Sequence, residues 1–148
     1  MDIGRGGFVS RFTMRFTARA EHIDIMGHVN NAVWLQWVQD IAGAHWHEIA
    51  TAEENAAAIW LVTRHEIDYR GNIAQGESVI AETWVPDRPA GARFDRMVAF
   101  RREADDDGAP GLARPIVSAR STWAMLDRET RRPMRVPATL ADRVLTAD

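Results

Sequence analysis

Between residues 10 and 19 apolar and polar side chains alternate: Phe12, Met14, Phe16 and Ala18 fall on one side, Arg11, Thr13, Arg15, Thr17 and Arg19 on the other. A repeat of two belongs to a strand with one face in a core, so the chain is expected to begin with a half-buried strand. The alternation stops at EHIDIMGH. There the Met26-Gly27 pair, followed by His28-Val29-Asn30-Asn31, reads as a loop running into a helix start, because an asparagine oxygen readily accepts a bond from a first-turn N–H. From 32 to 49 the spacing becomes helical, with Trp34, Val38, Ile41 and His45 on one stripe and Leu35, Ala42, Trp46 and Ile49 beside it. So wide an apolar stripe predicts a helix covered by other elements. Gly43 within it costs about 1 kcal/mol relative to alanine, which suggests a neighbour packed very close.

The stretch TAEENAAA reads as a polar loop or a short helical turn, and four strands are expected after it: 59–69, 77–85, 94–102 and 116–126. Between the last two, ADDDGAPGLARP holds too little apolar surface to order itself and is expected to be a mobile hairpin loop. Asp127 to Arg132 forms a charged turn, and Pro137 opens a short terminal helix whose Leu140, Val144 and Leu145 can pack back onto the body. Strand, long helix, then four strands is an α+β order. One central helix wrapped by a mostly antiparallel five-stranded sheet buries both apolar faces most simply. No internal repeat divides the 148 residues, which suit a single domain spanning 1–148.

Composition removes several function classes. With 46% hydrophobic and 26% charged residues the chain is globular in type, and no apolar run approaches the length of a membrane helix. The opening MDIGRGGFVSRF lacks the apolar stretch of a signal peptide, so a soluble, cytoplasmic protein with no membrane partner is expected. There are no cysteines, which rules out a disulfide framework, a thiol nucleophile and a zinc–cysteine site. A formal charge of -3 argues against nonspecific nucleic-acid binding. His22, Asp24 and His28 match no closed zinc pattern, and neither a metal nor a cofactor is expected.

A carboxylate can add to a carbonyl carbon or deliver water to it, and a second group is then needed to hold the oxyanion. The unpaired N–H groups of a first helical turn, near Val29 to Asn31, form an anion site, and Asp24 lies a few residues earlier on the loop. The segment HIDIMGHVNNAVWLQWVQD resembles the signature of hot-dog-fold thioesterases of the hydroxybenzoyl-coenzyme A and acyl-carrier-protein types. HEIDYRGNIAQGESVIAETWV is similar to that family's second and third strands, and STWAMLDRETRRPMRVP to its last strand, charged turn and proline ending. The resemblance runs from Phe12 to Leu140.

It implies the hot-dog fold and hydrolysis of an acyl-coenzyme A or acyl-carrier thioester. By resemblance Asp24 is the catalytic carboxylate, nucleophile or general base, and the Asn31 amide is the oxyanion donor. His28 matches a histidine used by the plant acyl-carrier type. The asparagine that type carries two residues after its aspartate is Met26 here, which leaves His28 a helper role. Gly27, Val29, Asn30, Trp34 and His65 are expected around the substrate, with Trp34 shaping the acyl pocket where the family usually has tyrosine. Sites formed between subunits imply a homodimer or homotetramer.

Each residue also has a blander reading. Asp24 could cap its loop or pair with an arginine, Asn30 and Asn31 could serve as cap and turn residues, and His28 could be an ordinary loop residue. His45 reads as a satisfied core residue, His47 as a solvent one, and His65 as a ladder neighbour. Arg64, Arg70, Arg88, Arg93 and Arg96 are candidate contacts for coenzyme A phosphates, against a default of solvated surface. The competing functions are the same hydrolysis on an acyl carrier protein, a non-hydrolytic thioester binder, and a hydratase or dehydratase on the same fold, whose usual residue order is not evident.

Overall fold

A computed structural model describes residues 11–105 and 114–145. Its elements are β1 (Phe12–Thr17), α1 (Asn31–Ile49), α2 (Ala52–Ala57), β2 (Ala58–Tyr69), β3 (Ser78–Trp84), β4 (Arg93–Arg102), β5 (Val117–Asp127) and α3 (Ala138–Leu145). The strands form one sheet in the order β1-β3-β4-β5-β2 with every neighbouring pair antiparallel. The α+β class and the single helix against five strands are as the periodicity predicts. Most of the loop expected at 104–115 lies outside the described residues.

Thr51 and Glu54 turn the polar stretch after α1 into a short helix. The Thr51 hydroxyl accepts from the Glu54 amide at 3.1 Å and the Glu54 carboxylate from the Thr51 amide at 2.9 Å. This reciprocal pair satisfies two first-turn donors that would otherwise be open.

Alternation places Phe16, Ala81, Val98, Phe100, Val117 and Ala119 on the sheet face that meets α1, whose Trp34, Trp37, Val38 and Ile41 complete the main core. Burying each aliphatic or phenyl side chain in it contributes about 1.5–3 kcal/mol. A second cluster, containing Ala58, Val85, Met125, Val136, Leu140, Ala141 and Val144, lies where α3 packs back. Buried polar side chains, His45, Thr83, Arg96 and Ser121, also lie inside the fold.

Two features differ from the sequence reading. A Cβ added at Gly43 would meet nothing within 4 Å, so the expected close neighbour is absent and open space lies there instead. Arg96 is only 4% exposed, in contrast to the solvated default. The alternating row Phe94, Arg96, Val98, Phe100 carries it to the inner face.

Candidate active site

The loop ahead of α1 is closed at its base by an antiparallel bridge between Ile23 and Val29. Inside it the Asp24 amide donates to the His28 carbonyl at 2.8 Å and the Gly27 amide to the Asp24 carbonyl at 3.0 Å. Gly27 sits at φ +82°, a left-handed conformation that glycine adopts without steric cost. Asp24 Oδ1 accepts from the Met26 amide at 2.9 Å and the His28 amide at 3.3 Å, an Asx-type turn that fixes the carboxylate's direction. Among the described residues Oδ2 has no hydrogen-bond partner and no arginine pairs with Asp24. The loop-capping reading of Asp24 therefore holds for one oxygen, and the other is uncommitted.

The far end of the loop is pinned by Asn72, a residue to which the sequence reading gave no role. Its Oδ1 accepts from the Val29 amide at 3.1 Å and the Ile73 amide at 2.9 Å, while its Nδ2 donates to the Val29 carbonyl at 3.1 Å. Val29 is fully buried, so this clamp also keeps its polar backbone satisfied. The Asn30 amide donates to the His22 carbonyl at 2.9 Å.

Asn30 is the N-cap of α1, with Oδ1 accepting from the Ala32 amide at 2.8 Å and its carbonyl accepting from Val33 at 2.9 Å. From Val29 to Trp34, only the Asn31 amide has no acceptor among the described residues. The Asn31 carbonyl accepts from the Tyr69 hydroxyl at 3.2 Å. One open amide, at the positive end of a 19-residue helix, thus lies at the same end of the molecule as the free oxygen of Asp24.

The other expected site residues are spread more widely. His28 is exposed on the loop. Trp34 is fully buried, edge-on to Trp37 at 5.2 Å and Phe100 at 5.0 Å, within the main core. His65 lies half-buried on the inner row of β2, its Nδ1 2.6 Å from the Ser121 hydroxyl, and burial pushes its pKa down. Ile25 is fully exposed and Met26 76% exposed at the loop tip, an apolar pair facing water. Of the candidate arginines, Arg64 pairs with Glu66, Arg70 with Asp68 and Arg88 with Asp142, all at the surface.

A separate cavity of about 170 Å³ lies along the C-terminal half of α1, lined among others by Gly43, Trp46, Trp60, Phe94, Arg96 and Trp123. No part of the Asp24 loop borders it. Among the described residues no helix is long and apolar enough to cross a membrane, and no cluster of three metal-ligating side chains occurs.

One helix held against a five-stranded antiparallel sheet, with a carboxylate-bearing loop closing on the helix start, is the hot-dog architecture of thioesterases. Residues 9–144 match the family of acyl-ACP thioesterase N-terminal domains, and the chain belongs to that family and so to the thioester hydrolases. Among solved structures it is similar to an acyl-ACP thioesterase from Bacteroides thetaiotaomicron, 26% identical over 91% of this chain and 53% of that one, with a TM-score of 0.74. The chain thus spans about half the length of that protein. A hypothetical protein from Staphylococcus aureus in complex with CoA matches with a TM-score of 0.76, 15% identity, and coverage of 93% and 83%. A 1,4-dihydroxy-2-naphthoyl-CoA thioesterase from Synechocystis shares the fold at 12% identity, TM-score 0.73, over 91% and 96%. No curated protein matches the sequence.

Proposed function

We propose that this protein hydrolyses an acyl thioester carried on coenzyme A or an acyl carrier protein, with Asp24 as nucleophile or general base and the Asn31 amide as oxyanion donor. The observation that carries the reading is the pairing of two uncommitted groups at one end of α1: the Asn31 N–H and Asp24 Oδ2. A thioester carbonyl placed with its oxygen on that amide gains the partial positive charge of the helix start as negative charge develops. Asp24 then acts in one of two ways. Either its free oxygen adds to the carbonyl carbon and expels the thiolate, leaving an acyl anhydride that water opens, or it takes a proton from the attacking water.

The surrounding residues receive supporting roles in this account. Gly27 permits the turn, Val29 anchors it and Asn30 caps the helix. Trp34 supports the first turns of α1 from beneath, His28 orients or relays a proton, and His65 borders the acyl chain. A homodimer or homotetramer is part of the proposal: Ile25 and Met26 are exposed beside the site, and β2 is an edge strand whose Leu61 and Tyr69 are half-exposed. A second subunit covering them would complete the acyl pocket. The test is thiol release by the wild-type protein from a panel of aliphatic and aromatic acyl-CoA thioesters and the matching acyl carrier protein thioesters. Turnover of at least one member is expected, and binding without turnover of any would replace hydrolysis with a carrier or sensor role.

A further inference from the structure

Arg96 is a buried cation that no acid among the described residues neutralises. Among the described residues its guanidinium reaches two acceptors, His45 Nδ1 at 2.9 Å and Thr83 Oγ1 at 3.1 Å, and both contacts use Nη1. Nε and Nη2 have no acceptor there, and the Phe94 ring lies 5.7 Å from the guanidinium carbon. His45 supplies no counter-charge: burial, helped by Arg96, drives its pKa down to about 4, so it is neutral at pH 7. Burial lowers Arg96 only to about 10, so it stays charged. An ionised group in such a place costs folding free energy unless something pairs with it.

The same cavity is bordered by two further side chains with unused donors. Trp60 and Trp123 both line it, and the indole N–H of each is buried with no hydrogen-bond partner among the described residues. Trp46, also on the wall, differs: its N–H donates to Asn55 Oδ1 at 2.9 Å. Apart from Gln39 the rest of the wall is apolar, with Ala42, Ile49, Phe94, Val136 and Leu140 among its residues. At about 170 Å³ the space is comparable to the roughly 150 Å³ engineered cavity that admits benzene.

We propose that this cavity is a binding site for a small carboxylate with an apolar body, aromatic or short aliphatic, whose carboxylate pairs with Arg96. A fork of guanidinium donors suits a carboxylate, and the aromatic wall suits the body. Gly43 belongs to the site, since the lack of a side chain there leaves the space open. The cavity is not the reacting centre: Gly43 lies about 18 Å along the helix axis from Asn31 at 1.5 Å per residue. The occupant is therefore either a free acid or the far, acidic end of an acyl chain. The inference stands apart from the role given to Asp24.

Fluorescence of Trp46, Trp60 and Trp123 reports occupancy directly. Wild-type protein is titrated at pH 7 with benzoate and hexanoate and with the neutral amides of both acids. Saturable quenching by at least one acid is expected, with at least tenfold weaker binding of its amide. Arg96→Met should weaken the acid at least tenfold in a protein that stays folded, because the loss of a buried charge offsets the hydrogen bond lost at His45. Gly43→Leu fills the space with Arg96 intact and should also abolish binding. No saturable response to either acid, equal affinity for acid and amide, or undiminished binding in both variants would overturn the site. Competition separates the two sources. Displacement of the bound acid by hexadecanedioyl-CoA, whose extended chain is long enough to span about 18 Å, but not by hexadecanoyl-CoA assigns the cavity to the end of a dicarboxylic acyl chain, and displacement by neither assigns it to a free acid.

Discussion

Asn72→Ala tests whether a side chain on the strand-to-strand connection holds the Asp24 loop in place. The substitution removes three hydrogen bonds, from the Val29 and Ile73 amides to Oδ1 and from Nδ2 to the Val29 carbonyl. The Val29 amide keeps a second acceptor, the Ile73 carbonyl at 3.2 Å. The Ile73 amide and the Val29 carbonyl lose the partners described, in residues 1% and 0% exposed. Leaving a buried polar group unpaired costs about 1–3 kcal/mol, so two such groups, partly relieved by water, give an expected loss of about 2–4 kcal/mol. For a domain of this size that is a fall in melting temperature of about 4–16 °C. Urea denaturation followed by tryptophan fluorescence measures the free energy, and thiol release measures activity at a temperature where the variant is folded. Because the clamp positions the loop between Asp24 and Asn31, turnover should fall at least tenfold in the folded fraction. A stability change below about 0.5 kcal/mol would refute the energetic argument. Full activity in a destabilised protein would refute the positional one.

Other expectations follow from the same geometry. Gly43→Ala should stabilise the protein by up to about 1 kcal/mol, read as a higher urea midpoint, because the new methyl meets nothing within 4 Å and the helix gains propensity. His45 titrates near 4 when folded and near 6.5 when unfolded, so the unfolded chain binds more protons between those values. Stability should thus be highest above pH 6.5 and fall by about 3 kcal/mol as the pH drops to 4, a slope reduced in His45→Gln. If it is instead unchanged in the variant, another group carries the slope. Leu61→Arg on the edge strand should convert the proposed dimer to monomer by light scattering, and an unaltered mass would move the subunit contact elsewhere.

The elements were readable because their signals are local. Period two marks β1, period near 3.6 marks α1, and the Asn30 cap stands where the loop residues end. The Thr51-Glu54 box was also in the sequence as a T-x-x-E pattern, although the stretch reads equally as a polar loop. Asn72 was not legible, since its partner Val29 is 43 residues away and nothing around Gly71 announces that contact. Gly43 misleads for a different reason. A glycine in a helix marks either a close neighbour or an opening, and only the packing distinguishes them. Arg96 was legible by alternation, which puts it on the row of Phe94, Val98 and Phe100, but residue type alone argues for the surface. Trp34 stands one turn into α1 as the motif requires, and whether its ring faces a pocket or the core depends on Trp37 and Phe100.

The central claim is that one carboxylate on a fixed loop carries thioester hydrolysis. Its most direct test is the turnover of Asp24→Asn against wild type on one good thioester substrate, with melting temperature measured alongside. Asparagine keeps the Oδ1 acceptor for the Met26 and His28 amides, so the loop and the melting temperature should be preserved. The account predicts a loss of at least about 100-fold in turnover, the scale of a positioned base or nucleophile. A folded variant that retains wild-type turnover within a few-fold would contradict it.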